Sequence, residues 1–253
     1  MKNKSASVLI ALGLFAVAAR GLVPSTELYP FPGFDLEVVR AKTAAEALPA
    51  SADLQEAWRL KQELQGSWAP DARKPKAATL AKLDQLKSHL EALPKPDWFL
   101  EVFNSPEPRP TRLADKIGDA TFVRQRATPE YQALKSLAIV YLTEHELDRP
   151  AAAQSAGRFL TALSITHPWD WEVHGLHARF LVDSQRFGPA WVSARQSLFL
   201  NPAPDAENLK FFAFVGSISA KEKWPEIQIA MQQAALDSRV ADRAITESAL
   251  LFS

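Results

Sequence analysis

Pro168 and Pro202 lie 34 residues apart, and each closes an apolar-periodic stretch. A fixed period near that length is the mark of a repeated helical hairpin, in which each copy buries its single apolar face against the next. The stretch from Trp171 to Pro202, WEVHGLHARFLVDSQRFGPAWVSARQSLFLNP, reads as one such antiparallel pair, broken at Gly188-Pro189 and closed by Asn201-Pro202. Ala, Leu, Gln, Glu, Lys and Arg fill most of the remaining segments and strand-forming runs are scarce, so the expected class is all-α. Eighteen prolines against nine glycines suit many short helices, since proline is tolerated in a first turn and stops a helix elsewhere.

With 253 residues and 47% apolar content the chain can bury a core. Lys+Arg and Asp+Glu are each 29, so no single-sign field exists to gather nucleic acid, and no nucleic-acid partner is expected. The absence of cysteine removes disulfides, thiolate chemistry and cysteine metal sites.

Residues 1–23 read as a signal peptide or membrane anchor. Lys2 and Lys4 precede a fourteen-residue apolar run from Ala6 to Ala19, followed by Arg20. Such a run makes about 21 Å of helix, short of a hydrocarbon core of roughly 30 Å, which favours a cleaved signal with processing after Ala18 or Ala19. An uncleaved anchor would continue through Val23 with Arg20 snorkelling, giving membrane contact through residues 6–23. Either outcome exports the body, placing it in the periplasm or holding it on the inner membrane outside the cytoplasm.

Residues 24–110 form a helical N-terminal region with proline-rich linkers. Helices are expected over Phe34–Leu48 and Ala52–Gln65, then over Ala77–Leu93, where Leu80, Leu83, Leu86, Leu90 and Leu93 make one apolar stripe. That stripe is either a face against a neighbouring helix or a short coiled-coil seam. The island Asp97–Phe103, flanked by Pro94, Pro96, Pro106, Pro108 and Pro110, is one helical turn or a short strand. Trp98, Phe99 and Phe103 within it are expected to dock the N-terminal half onto the C-terminal half.

Residues 111–253 carry the repeats, entered through a helix over Arg112–Arg126. Thr128-Pro129-Glu130 opens a helix containing Leu134, Leu137, Ala138 and Tyr141, and Asp148 is expected to cap its partner, which ends at Thr166-His167-Pro168. His174, His177, Ala178 and Leu181 take the corresponding slots of the second pair, with Phe187 in its turn and Ala190, Ala194 and Pro202 in its second helix. Asp205 caps a third pair containing Phe211, Phe214, Val215 and Ile218, whose second helix begins at Trp224-Pro225-Glu226. Val240–Phe252 reads as a single closing helix.

These slots resemble the tetratricopeptide repeat over roughly residues 129–239, with Leu in place of the usual Trp and Ala in place of Gly in the first pair. The resemblance implies a short TPR-like α-solenoid whose small residues Ala138, Ala178 and Ala190 let helices approach closely. It also implies a concave groove lined by the first helix of each pair, with Lys135, Glu172, Arg179 and Asp183 between the packing slots as groove residues. Phe211 and Phe212 cannot share one side of a helix, and Phe212 is taken as the protein-binding candidate of the two.

His167, Asp170, His174 and His177 could ligate zinc or copper, but His174 and His177 occupy packing slots, so no metal and no cofactor are expected. Glycine-rich phosphate loops, Gly-x-Ser-x-Gly elbows and His-Glu-x-x-His are absent, and nothing singles out Glu144, Glu146 or Glu172 as a glycosidase acid. The expected function is therefore non-enzymatic: an exported or membrane-anchored scaffold that binds other proteins, as an assembly factor or a subunit of a membrane-associated complex. The alternative is an envelope protein that binds or hydrolyses glycan.

Overall fold

The structure is a computed structural model that describes residues 49–65, 77–105, 128–149, 151–168, 170–201 and 204–234. The segments expected at 1–23, Phe34–Leu48, Arg112–Arg126 and Val240–Phe252 lie outside these residues, as do Trp169 and Pro202. The described residues hold nine α-helices and one 3-10 turn, with no strand among them. In chain order the helices are α1 (Ala52–Gln65), α2 (Ala77–Ala92), α3 (Asp97–Phe103), α4 (Pro129–Glu146), α5 (Ala152–Thr166), α6 (Trp171–Asp183), α7 (Phe187–Leu200), α8 (Ala206–Ser219) and α9 (Trp224–Ala234). None of them is long and apolar enough to cross a membrane.

Local chemistry fixes several of the boundaries. The Thr128 hydroxyl accepts the Tyr131 amide at 3.2 Å and Pro129 takes the first helical position, where its missing N–H costs nothing. Asp205 and Asn208 form a reciprocal capping box, with Asn208 donating its amide to the Asp205 carboxylate at 2.8 Å and Asp205 donating its own to the Asn208 side chain at 3.3 Å. The island at Asp97–Phe103 is helical, with Pro96 just before its first turn.

Two expected boundaries move. Asp148 does not cap α5: it adopts a left-handed backbone at φ 54°, as does Ala151 at φ 62°, and α5 starts without a side-chain cap. The chain does not break at Gly188-Pro189, which lie in the first turn of α7. The turn falls at Ser184-Gln185-Arg186, where Gln185 takes φ 58°, and Pro189 sits where the missing amide has no helical partner to lose.

The helices stack largely in sequence order. α4 pairs with α5, α5 packs on α6, α6 pairs with α7, α7 packs on α8, and α8 meets α9. α1 and α2 pair with each other and both lie on α4, while α3 packs on α5. Polar contacts give the directions. Pro49 and Ser51 meet Gln132 while Lys61 meets Glu146, so α1 runs parallel to α4; Asp84, Lys87 and Glu91 meet Arg149, Glu144 and Tyr141, so α2 runs antiparallel to it. Enclosed by α1, α2, α5 and α6, α4 buries thirteen of its 18 residues.

One continuous cluster of buried apolar side chains runs from Leu54 in α1 to Met231 in α9. Leu83, Leu86 and Leu90 enter it from α2, with Leu80 and Leu93 packed at its edge, so the leucine stripe is a face against neighbouring helices. Phe99 and Phe103 hold α3 on α5 through Phe159, with ring centroids 5.2 and 5.0 Å apart, and Trp98 meets His167 edge-on at 4.8 Å. Contacts of this kind contribute about 0.5–1.5 kcal/mol each beyond the area they bury. Ala138, Ala178 and Ala190 are fully buried. Gly157 of α5 leaves room for the Phe180 ring of α6: an added Cβ would lie 2.9 Å from it.

Candidate functional site

A groove of about 530 Å³ is lined mainly by α1, α6 and α8, with α7 contributing Ala194, Ser197 and Leu198. Its aromatic lining consists of Trp58 from α1, Trp171 from α6, and Phe211 and Phe212 from α8. Sequence dictates this arrangement locally. Asp170 starts α6 by accepting the Glu172 and Val173 amides at 3.0 and 3.3 Å, which brings Trp171 and Glu172 to the first turn, and the Ser197 hydroxyl ties the Trp171 carbonyl to α7 at 2.8 Å. The Asp205 capping box fixes the start of α8, and Arg179 lies over the Phe211 ring with its guanidinium carbon 4.6 Å from the centroid.

Most groove charges are already engaged. Glu172 accepts from Lys135, Lys61 donates to Glu146, Glu207 pairs with Lys210 at 3.4 Å, and Asp205 serves as a cap. Arg179 is stacked over an aromatic face, and its charge also acts on the nearby Asp183 carboxyl.

The five residues expected to line a groove are divided by the structure. Glu172, Arg179 and Phe212 line it. Lys135 is buried beneath it at 3% exposure, donating to Asp170 at 2.8 Å and to Glu172. The Tyr131 hydroxyl donates to the same Asp170 oxygen, so that carboxylate satisfies a phenol, an ammonium and two helix-starting amides at once. Lys135 is thus a structural cation, and its place beside Asp170 takes it off the surface. Phe212 is 1% exposed and stacks on Trp191 at 4.9 Å, so it belongs to the buried floor, while the half-buried Phe211 forms the wall. Asp183 lies at the end of α6 outside the groove lining; burial and the nearby Glu146 push its carboxyl above the usual range.

Spacing alone did not single out Trp58 and Lys61. A signal existed for Lys61: positions 57, 60, 61 and 64 share one helical face, and a lysine there among Ala57, Leu60 and Leu64 must find a buried partner. It finds Glu146, and burial lowers its ammonium below the ordinary value.

The histidines serve packing. His167 stacks on Tyr131 at 3.9 Å, and His174 donates from Nε2 to the Pro168 carbonyl at 2.8 Å. His177 sits between the Thr161 and Ser193 hydroxyls at 3.5 and 3.4 Å, and burial, then His174 and Arg186, push it down to about 3. Among the described residues no group of three His, Asp or Glu is placed to hold a metal ion. The groove offers aromatic surface and one stacked guanidinium, a composition suited to binding a macromolecular segment. No family model matches the chain, and it matches neither a curated protein nor a solved structure.

Proposed function

We propose that the protein is a non-enzymatic scaffold that binds another protein along the groove between α1, α6 and α8. The observation carrying this reading is the groove itself: its lining brings together Trp58, Trp171, Phe211 and Arg179 from three helices, with Arg179 stacked on Phe211. Rigid aromatics and arginine are the side chains that yield most per residue at protein interfaces. The resemblance to tetratricopeptide repeats supports the same use, as does the order in which the hairpins stack. The apolar run at Ala6–Ala19 supports export, with the body in the periplasm or anchored outside the cytoplasm, and service as an assembly factor or a subunit of a membrane-associated complex.

The test is a pulldown from solubilised membranes with the wild-type chain, Arg179→Glu and Trp171→Ala in parallel. Specific proteins retained by wild type and lost from both variants are expected. Retention on cell-wall glycan, with no protein that distinguishes wild type from the variants, would replace this reading with the glycan-binding one. Sequencing the mature N-terminus decides between cleaved signal and anchor: a start at Ala19 or Arg20 means cleavage, an intact Met1 means an anchor.

A further inference from the structure

A second cavity, of about 550 Å³, is lined by the end of α3, by α5 and by the turn that follows α6, and it shares no residue with the groove. Cavities of that size hold small organic ligands. Its walls bring together Arg158 of α5 and Arg186 of the α6–α7 turn, and no carboxylate belongs to the lining. Local structure places both guanidiniums. The Phe103 carbonyl, without an intrahelical donor at the end of α3, accepts from Arg158 Nη2 at 2.9 Å, and the Phe103 ring lies 4.1 Å beneath the same guanidinium. Arg186 follows Gln185, whose left-handed backbone turns the chain, and its amide donates to the Leu181 carbonyl at 2.8 Å while its side chain makes no cap to α7.

Elsewhere Lys61, Lys87, Lys135 and Arg149 each meet a carboxylate. Among the described residues Arg158 and Arg186 pair with none. The charge of Arg186 also reaches inward: after burial and His174, it is the third influence that holds His177 neutral. Two cations on one cavity repel each other, and an anion between them removes that cost. Guanidinium forks match phosphate oxygens bidentately, and a phosphate monoester carries close to two negative charges at pH 7, enough to answer both, whereas a carboxylate answers one. Phe103 and Phe180 give the cavity apolar surface, Thr161 adds a hydroxyl, and Gly157 supplies no side chain to fill it. We propose that this cavity binds a phosphate monoester, with Arg158 and Arg186 on the phosphate and the apolar lining against the organic group. The site stands or falls independently of the protein-binding groove.

The test titrates the full chain with phenyl phosphate, inorganic phosphate and phenol, followed by amide chemical shifts. Phenyl phosphate is expected to saturate one site with a Kd below about 1 mM, shifting amides of 103–105, 153–158 and 186 while those of 194–198 in the groove stay in place. Inorganic phosphate should bind at least tenfold more weakly, and phenol should not saturate. Arg158→Gln and Arg186→Gln should each weaken phenyl phosphate at least tenfold, and Arg59→Gln on α1 should leave it unchanged. Arg186 is exposed and holds no carboxylate, so its variant should keep the wild-type thermal midpoint. Phosphatidylcholine vesicles with and without phosphatidic acid separate the two sources of the ligand: competition by phosphatidic acid assigns the site to a lipid headgroup, and its failure to compete assigns it to a soluble monoester. No saturable shift with phenyl phosphate, phenol binding as tightly as phenyl phosphate, or an affinity indifferent to Arg186 in the folded variant overturns the proposal.

Discussion

The two sides of α4 are built from different chemistry. Toward α1 and α2 the apolar packing of Leu54, Ala57, Leu60, Leu64, Leu83, Leu86 and Leu90 is edged by ionic and polar contacts: Lys61 with Glu146, Lys87 with Glu144 at 2.9 Å, Arg149 with Asp84, and the Tyr141 hydroxyl on Glu91 at 2.7 Å. The stack beyond it, α6 on α7 and α7 on α8, is carried by Ala178, Ala190, Leu198, Phe199, Val215 and the Trp191–Phe212 pair. Apolar packing is non-directional and adds up with area, so the stack resists change by volume. Ion pairs are directional and carry a desolvation cost, so the α1 junction resists change by partner.

That contrast predicts graded responses. The largest is at the ionic junction: Glu146→Leu takes from buried Lys61 the carboxylate it is bonded to and should cost about 3–5 kcal/mol in urea unfolding, whereas adding Lys61→Met should return most of it. A double variant as unstable as the single one would mean that volume, not charge, governs this side of α4.

Acid should act on the stack next. His177 has a folded-state value of about 3 against an ordinary 6.5, so the unfolded chain binds the extra proton between those values. Stability is then fully present above pH 6.5 and lost as pH falls, with a slope approaching about 1.4 kcal/mol per pH unit. Over two units the loss is about 2–3 kcal/mol, and His177→Gln should flatten the thermal-midpoint profile in that window. A profile unchanged by the substitution would place the acid response elsewhere.

Ala178→Leu follows, at about 1–3 kcal/mol, because the site has no room for the added carbons. A thermal midpoint equal to wild type would remove Ala178 from the close-packed positions. The smallest effect is at the rim. Arg149 and Asp84 are 28% and 56% exposed, and Asp84→Ala should cost less than about 1 kcal/mol, a difference that 0.5 M salt should abolish. A larger loss would extend the buried character of the junction outward.

What could be read in the sequence follows the same division. Features set by local chemistry were legible, including the caps at Thr128 and Asp205, the helix at Ala52–Gln65, the leucine stripe of α2 and the small residues at 138, 178 and 190. Asp148 misled because aspartate serves both as a cap and as one of the few residues that tolerate a left-handed backbone. Gly188-Pro189 misled because proline is as welcome inside a first turn as just outside a helix. Lys135 looked like a groove residue until Asp170, 35 positions away, claimed its ammonium, a pairing that no window of local spacing contains. Lys61 and Glu146 are 85 positions apart for the same reason. Which of Phe211 and Phe212 forms the wall depended on where α7 placed Trp191.

The proposed protein-binding groove between α1, α6 and α8 can be probed by site-specific photo-crosslinking in intact membranes. A photoreactive residue at Gln62, exposed on the groove wall, is compared with one at Val192, 44% exposed on α7 outside the groove lining. The account predicts a discrete protein adduct from position 62 that Arg179→Glu abolishes, and none from position 192. Adducts from position 192 alone, or adducts from 62 indifferent to Arg179, would contradict it.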